Sequence, residues 1–417
     1  SPRAPVDPPP LSPLAFAINL DAAATPQDAL APHRLYGELL AKRFPALPGA
    51  LRAIDPQKRL RVAFLSADLR RHSVAYFIEP LLRGLDREQF EPVCYSTGAQ
   101  EDQVTATLKP LFARWEHAYE AAPHELAARI RADRIDIAID LSGHSEGHNL
   151  PALSLRAAPV QVTYLGYPNT TGIPAIDARI VDSLTDPTDS LTVERLVRLD
   201  PCFLCYHPPP DPPPVVARPA QGPLIFGSFN AWPKLSDPTL SLWAGALRAV
   251  PGSRLLIKSQ TVAAARERVV AFFAAAGVDA DRVRFLPWAA STLEHLESYA
   301  QVDIGLDTTP YNGTTTTCEA LFMGVPVVTL PGRTHASRVG QSLLTNAGLA
   351  PFAARDEAGF AGICAALARD RAQLATLRAN LRDRLLGSVL CDQPAFAARF
   401  GAALRRLWQG QCAAGGG

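Results

Sequence analysis

The densest run of chemistry in the chain is Leu306-Asp-Thr-Thr-Pro-Tyr-Asn-Gly-Thr-Thr-Thr-Thr-Cys-Glu-Ala-Leu-Phe-Met-Gly-Val-Pro326. A strand ends near Asp307, a Pro/Asn/Gly turn runs to Gly313, and Thr314, Thr315, Thr316 and Thr317 open a helix. The first helical turn leaves N–H groups without an intrahelical partner and carries a partial positive charge. Hydroxyls add donors, so this turn suits a diphosphate. Four threonines exceed what a cap needs, and β-branched residues are poor helix-interior formers. Glu319, about one turn further in, is placed to accept from ribose hydroxyls. The second feature is Phe226-Gly-Ser-Phe-Asn-Ala-Trp-Pro-Lys234, a strand leading into a loop that bears a lysine. Lysine is scarce, with only Lys42, Lys58, Lys109, Lys234 and Lys258 against many arginines. An ammonium fixed at Lys234 would neutralise charge on a departing phosphate; taken alone, it reads equally well as a solvated surface cation.

Several histidines follow strands. His72 lies just after the first one, and His144 and His148 follow the strand 135–141, in Ser142-Gly-His-Ser-Glu-Gly-His148. Strand carboxyl ends are where ligand contacts belong in a parallel sheet. A His-x3-His pair on a helix could hold a metal, but Gly143 and Gly147 argue for a loop. His295 sits in a short helix, one strand before the threonine turn, whereas His117 and His124 read as exposed. Asp279-Ala-Asp281 matches a metal-diphosphate pattern, yet between a helix and a strand it reads as turn and cap chemistry. Cys202-Phe-Leu-Cys205 has no second ligand pair, so it reads as a strand end with two buried thiols. No P-loop and no nucleophile elbow are present. No metal and no cofactor are expected.

The elements that position these residues alternate. Residues 1–14 are Pro-rich and expected to be flexible, and 15–45 read as helical. Strands are expected at Arg61–Ser66, Pro92–Ser96, Ile135–Leu141, Val160–Leu165 and Ala178–Val181, with helices at Tyr76–Leu85 and around His124–Ala132. Residues 207–223, rich in proline, form the clearest linker. The alternation then restarts, with strands at Leu224–Phe229, Arg254–Lys258, Arg284–Leu286, Ile304–Leu306 and Val327–Leu330. Helices are expected at Asp237–Val250, Ala263–Ala276, Thr292–Ala300 and Thr315–Met323, and an amphipathic helix at Pro394–Trp408 is expected to pack across the domains. Strands alternating with helices imply parallel α/β sheets. The expected organisation is an N-terminal segment (1–57), a first α/β domain (58–206), a linker (207–223), a second α/β domain (224–388) and a C-terminal helix and tail (389–417), with a cleft between the two domains.

With 417 residues, 47% of them hydrophobic and 19% charged, the chain can bury two ordinary cores. A net charge of +1 with dispersed charges speaks against a nucleic-acid binder. No apolar run reaches the ~20 residues of a membrane span, and no signal-peptide pattern is seen. The missing initiator Met suggests a trimmed chain. An odd number of cysteines at loose spacing fits a reducing, cytoplasmic setting.

From about residue 58 to about 412 the chain resembles the catalytic region of the protein O-glycosyltransferase family that includes O-GlcNAc transferase and SPINDLY. The resemblance is carried by Arg71-His-Ser-Val-Ala-Tyr-Phe-Ile-Glu79, Ala158-Pro-Val-Gln-Val-Thr-Tyr-Leu-Gly-Tyr-Pro-Asn-Thr-Thr-Gly172, Cys202-Phe-Leu-Cys-Tyr206, Phe226-Gly-Ser-Phe-Asn230, Pro310-Tyr-Asn-Gly-Thr-Thr-Thr-Thr-Cys-Glu319 and His335-Ala-Ser-Arg-Val-Gly340. It implies a GT-B fold of two Rossmann-like domains, the first on the acceptor side, with the nucleotide mainly in the second, and inverting transfer without metal. Lys234 matches the family's catalytic lysine, Thr314–Thr316 its phosphate-binding segment, Glu319 a ribose-binding carboxylate, His295 a histidine near the nucleoside and His72 one near the sugar and acceptor. His72 or His144 would accept or orient the proton, unless the donor's own phosphate does so. Asn230, His295, Gly313, Thr314, Thr315, Thr316, Thr317 and Glu319 make up the expected nucleotide-sugar site. At Ala231, Pro233, Thr292 and Thr314 the chain departs from O-GlcNAc transferase. In the threonine run and the glutamate it is more similar to SPINDLY, whose donor is GDP-fucose. The sugar, GlcNAc or fucose, and the base, UDP or GDP, therefore stay open. The expected partners are a nucleotide sugar and a protein acceptor, with no membrane. Family members carry tetratricopeptide repeats, but no ~34-residue period is visible here. Either the repeats were removed or acceptor choice lies elsewhere. A protein N-glucosyltransferase and a non-catalytic nucleotide-sugar sensor are the alternatives.

Overall fold

The computed structural model describes residues 11–49, 55–219, 221–259 and 263–415. Its contacts divide the chain into two units, Ser1–Asn19 with Ala24–His207 and Asp392–Gly417, and Leu20–Ala23 with Pro208–Cys391. No described helix is long and apolar enough to cross a membrane.

The first unit begins with helices α1 (Leu11–Ala17) and α2 (Pro26–Arg43). Residues 1–10 of the Pro-rich start lie outside the described residues, while 11–14, expected to be flexible, are helical. Thr25 and Asp28 cap α2 reciprocally, satisfying two otherwise free donors. Then follow β1 (Leu60–Ser66), α3 (Ser73–Gly84), β2 (Phe90–Ser96), α4 (Gln103–Leu108), β3 (Arg114–His117), α5 (Pro123–Ala132) and β4 (Ile137–Asp140). The unit continues with α6 (Leu150–Ser154), β5 (Val160–Thr163), β6 (Ala178–Val181) and β7 (Arg195–Arg198). The seven strands form one sheet in the order β3-β2-β1-β4-β5-β6-β7, and every pair is parallel. Covered on both faces, β1 and β4 are apolar runs rather than alternations. The sheet edges β3 and β7 are arginine-bearing and partly exposed, so no such run announces them.

In the second unit the order is β8 (Ile225–Ser228), α7 (Asp237–Ala249), β9 (Arg254–Lys258), α8 (Ala263–Ala275), β10 (Val283–Leu286), α9 (Thr292–Glu297) and β11 (Ile304–Leu306). After these come α10 (Thr315–Phe322), β12 (Val327–Val328), α11 (Val339–Asn346), α12 (Glu357–Arg369) and α13 (Arg371–Leu386). The sheet order is β10-β9-β8-β11-β12, again all parallel. Its core gathers Phe226, Trp243, Phe273 and Phe360, all buried; each such side chain contributes roughly 1.5–3 kcal/mol by leaving water. Strand order reverses beside β8, between β9 and β11, the place where ligands sit in a doubly wound sheet.

The described residues of the Pro-rich segment form no helix or strand, yet they are tied down. Arg378 of α13, itself buried, donates to Val216 O (2.7 Å), Val302 O (2.7 Å) and Tyr299 O (3.3 Å). Arg218 pairs with Asp303 at 2.9 Å. The C-terminal helix α14 (Gln393–Gly415) buries Phe396, Phe400, Ala403, Leu404 and Leu407, spaced as one helical stripe. It was expected to pack across the domains; its contacts place it in the first unit, against α3 and β5, with Phe400 and Tyr164 ring centroids 5.0 Å apart.

Candidate functional site

The turn between β11 and α10 is built around Asp307. One carboxylate oxygen accepts the N–H groups of Thr308 (2.8 Å) and Gly313 (2.7 Å), and the other accepts the Thr329 hydroxyl (2.7 Å). Both ends of the turn are thereby held by one side chain. Burial pushes Asp307 up to about 6 against the pull of these donors and of Lys234. Asn312, fully buried, spends every polar group. Its N–H donates to Ala336 O (2.9 Å), its amide to Thr308 O (2.7 Å), its side-chain oxygen accepts from Gly340 N–H (3.1 Å), and its carbonyl accepts the Lys234 ammonium (2.8 Å). Half-buried Lys234, in the 3-10 turn Trp232–Lys234, also stands over the Tyr311 ring, 4.1 Å from its centroid. Desolvation lowers Lys234 to about 8, opposed by Asp307.

The four threonines divide their work, which departs from the expected cradle of hydroxyls. Thr316 donates to the Asn230 side-chain oxygen (3.1 Å) and Thr317 to Gly313 O (3.1 Å), so both brace their own turn. They and Asn230 also line a small pocket of about 20 Å³, room for about one water. A Cβ at Gly313 would stand 2.4 Å from Thr316 Oγ1 and 2.9 Å from Asn230 Oδ1, so those two side chains would have to give up their mutual hydrogen bond to admit it. Its N–H is taken by Asp307, so it has none to offer a phosphate. The hydroxyl of Thr315 is buried without a partner among the described residues, and that of Thr314 makes no cap bond. Cys318 N–H is the first to bond back into the helix, to Thr314 O (3.1 Å). The N–H groups before it are the free donors of the helix start.

Glu319 is buried and does not stand alone. Its Oε2 lies 2.9 Å from His295 Nε2 and 3.4 Å from the Tyr299 hydroxyl. His295 Nδ1 is in turn 2.8 Å from the ammonium of Lys258, the last residue of β9. Phe229, Tyr299 and His295 pack ring against ring around this pair.

In the first unit, His72 is the N-cap of α3: its Nδ1 accepts from Val74 N–H at 3.3 Å. Burial holds its pKa below the ordinary histidine value, against the opposing pull of Asp68. The neutral ring therefore carries its proton on Nε2. His144 is placed otherwise. It is buried, with Nδ1 3.0 Å from the Ser12 hydroxyl and Nε2 2.8 Å from Thr171 O, and it packs edge-on to the rings of His33, Tyr36 and Tyr167. Both nitrogens thus have partners inside the unit, and a part for His144 in moving a substrate proton would require it to release one of them. Asp279 precedes the short turn Ala280–Arg282 before β10 and Asp281 lies within it, and Asp279 makes no side-chain cap bond. Cys202 and Cys205 are buried beyond the end of β7 rather than in a strand. Among the described residues, no group of three or more His, Cys, Asp or Glu side chains is placed to hold a metal.

A family model for glycosyl transferase family 41 matches residues 45–204 and 218–400. The chain belongs to this family. It is 40% identical over 390 residues to the Arabidopsis thaliana protein called probable UDP-N-acetylglucosamine–peptide N-acetylglucosaminyltransferase SPINDLY, covering 91% of this chain and 43% of that one. With the Arabidopsis protein of the same description called SEC it shares 30% identity, over 70% of this chain and 31% of the other. The chain thus spans less than half the length of these relatives. Among solved structures, an O-GlcNAc transferase mutant of Thermobaculum terrenum superposes with a TM-score of 0.91 at 37% identity, over 97% of this chain and 78% of that one. HepE of Anabaena, at 13% identity and a TM-score of 0.50, shares the fold alone, over 83% of this chain and 99% of that one. This family 41 chain has the GT-B fold of two Rossmann-like units. Lys258, Asn312 and Asp307 are the site's unannounced members. Only the rule that ligands gather at strand carboxyl ends could have drawn attention to Lys258, the last residue of its strand.

Proposed function

We propose that the chain is the catalytic region of an inverting, metal-independent protein O-glycosyltransferase. It would move a sugar from a nucleoside diphosphate to a protein Ser or Thr hydroxyl. The observation that supports this most is the Lys234 ammonium, bonded to Asn312 O in the turn that leads into α10, beside a helix start where the first backbone N–H groups and the Thr315 hydroxyl have no partner among the described residues. Such a site favours the charge that grows on a diphosphate as the sugar–phosphate bond breaks. The acceptor oxygen bonds to the anomeric carbon while the bond to the diphosphate breaks. With both His144 nitrogens partnered and His72 presenting an N–H, the hydroxyl proton passes to an oxygen of the departing diphosphate. His72 then orients the sugar or the acceptor as a donor. Thr314, Thr315 and the first N–H groups of α10 hold phosphate, while Asn230, Gly313, Thr316 and Thr317 shape that turn. Glu319 and His295 take the nucleoside.

The SPINDLY and SEC relatives are named for UDP-N-acetylglucosamine and the Thermobaculum relative for O-GlcNAc transfer, which favours GlcNAc as the sugar; the threonine run and Glu319 favour a GDP-linked fucose. A protein acceptor and a cytoplasmic setting complete the proposal. The test is a thermal-shift screen with UDP, GDP and CMP, then mass spectrometry of a Ser/Thr acceptor incubated with the matching sugar donor in EDTA. Glycosylated Ser or Thr is expected. A strict Mg²⁺ or Mn²⁺ requirement, or no turnover with any nucleotide that raises the melting temperature, would sink the mechanism.

A further inference from the structure

Lys258 is 2% exposed and ends β9 in the second unit. A cation so placed is costly unless its protons are used. Its ammonium donates to His295 Nδ1 (2.8 Å) and Ser298 Oγ (3.2 Å) and lies 5.3 Å from the centroid of the Phe229 ring. An ammonium has only protons to give, so Nδ1 must accept. The imidazole proton is then on Nε2, aimed at Glu319 Oε2, 2.9 Å away. Donation runs one way, from Lys258 through His295 to Glu319. It ends on one carboxylate oxygen, and no described residue donates to the other, Oε1.

We propose that Lys258 is a positioning residue for the nucleoside: it fixes the tautomer of His295, which holds Glu319 with one oxygen presented to the ribose hydroxyls of a nucleoside diphosphate. The proposal rests on the nucleotide site assigned above. Without the ammonium, the imidazole is free to carry its proton on Nδ1. A lone pair then faces the carboxylate, and Glu319 turns away. The titratable groups that face Lys258 are Glu294 and the imidazole of His295 from α9 and Glu319 from α10. Burial brings Lys258 down to about 8, with the two glutamates opposing. Above that pH the neutral amine can itself accept from Nδ1–H, and the lock is released.

The test is calorimetry with UDP, GDP and their 2′,3′-dideoxy counterparts on the native chain, Lys258→Met and Lys258→Arg, each checked by its melting curve. The dideoxy ligands carry the same diphosphate, so ionisation of the phosphates and of Lys234 cancels in the ribo/dideoxy ratio. The native chain is expected to prefer one ribonucleotide by about tenfold or more, the scale of one charge-assisted hydrogen bond, and to lose that preference as pH rises through about 8. Lys258→Met should bind both sugars equally. Lys258→Arg should keep the preference and carry it above pH 8, because a guanidinium does not deprotonate there. Absence of any ribo/dideoxy preference in the native chain would overturn the ribose assignment of Glu319 and the proposal with it. A native preference that persists in Lys258→Met would overturn the role of Lys258 alone. If Lys258→Met does not fold, the pH series on the native chain decides, and a ratio unchanged between pH 6.5 and about 9.5 overturns the proposal.

Discussion

Replacing Lys234 by Met separates the leaving-group role from a structural one, because the two predict opposite changes in stability. In the folded chain Lys234 sits at about 8 rather than 10.5, with desolvation the chief cause. That difference is roughly 3 kcal/mol of preference for the neutral form. At pH 7 the ammonium still outnumbers the amine by about ten to one. The folded ammonium binds its proton less tightly than the unfolded one, so this penalty is fully present below about pH 8 and relieved as pH rises toward 10.5. Methionine removes the penalty and forfeits the bond to Asn312 O, worth roughly 1–2 kcal/mol. The melting temperature of Lys234→Met at pH 7 should therefore be unchanged or raised. Turnover should behave differently. The ammonium matters most as charge builds on the diphosphate, so kcat should fall by about a hundredfold or more, the scale of one preorganised transition-state donor, with donor KM changing far less. Lys234→Arg should rescue poorly, since its charge lies in a wider plane. Steady-state kinetics of nucleoside diphosphate release, paired with melting curves, make the measurement. A kcat near normal in a folded Lys234→Met chain, or a lost kcat with a large drop in melting temperature, would refute the reasoning.

Asp307 raises the pKa of Lys234, so Asp307→Asn should move the alkaline limb of kcat/KM, which reports the free protein, from about pH 8 to lower pH; an unmoved limb in a pH–rate profile would detach Asp307 from the lysine. Gly313→Ala places a Cβ 2.4 Å from Thr316 Oγ1 and should cost roughly 1–3 kcal/mol, seen in urea unfolding together with weaker nucleotide binding. His144→Gln should lower stability by roughly 1–3 kcal/mol, the cost of stranding buried partners, and leave most of kcat intact. A large loss of kcat at full stability would return His144 to the reaction.

The parts of the fold that read clearly from the chain are those whose burial is two-sided. Residues 61–66 and 225–228 are apolar runs closed by polar turns, and each became the strand beside which its sheet reverses order. The edges β3 and β7 escaped because an edge strand half in water has no reason to be apolar. In α13 the buried stripe includes Arg378, which disguises the helix's inward face. The turn 306–319 stood out by composition, but composition does not say which hydroxyls are already spent. Thr316 meets Asn230, 86 residues away, and that separation decides its role. His72 and His144 follow strands in the same manner. They differ because Ser12, 132 residues from His144, covers one of them. Such long-range contacts are invisible to any local pattern.

The turn from Asp307 to Thr317 holds its shape with its own hydrogen bonds. Ordering a side chain at the moment of association typically costs about 0.5–1.5 kcal/mol, and here that ordering belongs to folding instead. Nucleotide capture at this turn should accordingly be a single rigid encounter. The backbone of 307–317 should be superimposable with and without nucleotide to within about 1 Å, and the association rate should rise linearly with nucleotide concentration, without the plateau that marks a preceding or following rearrangement.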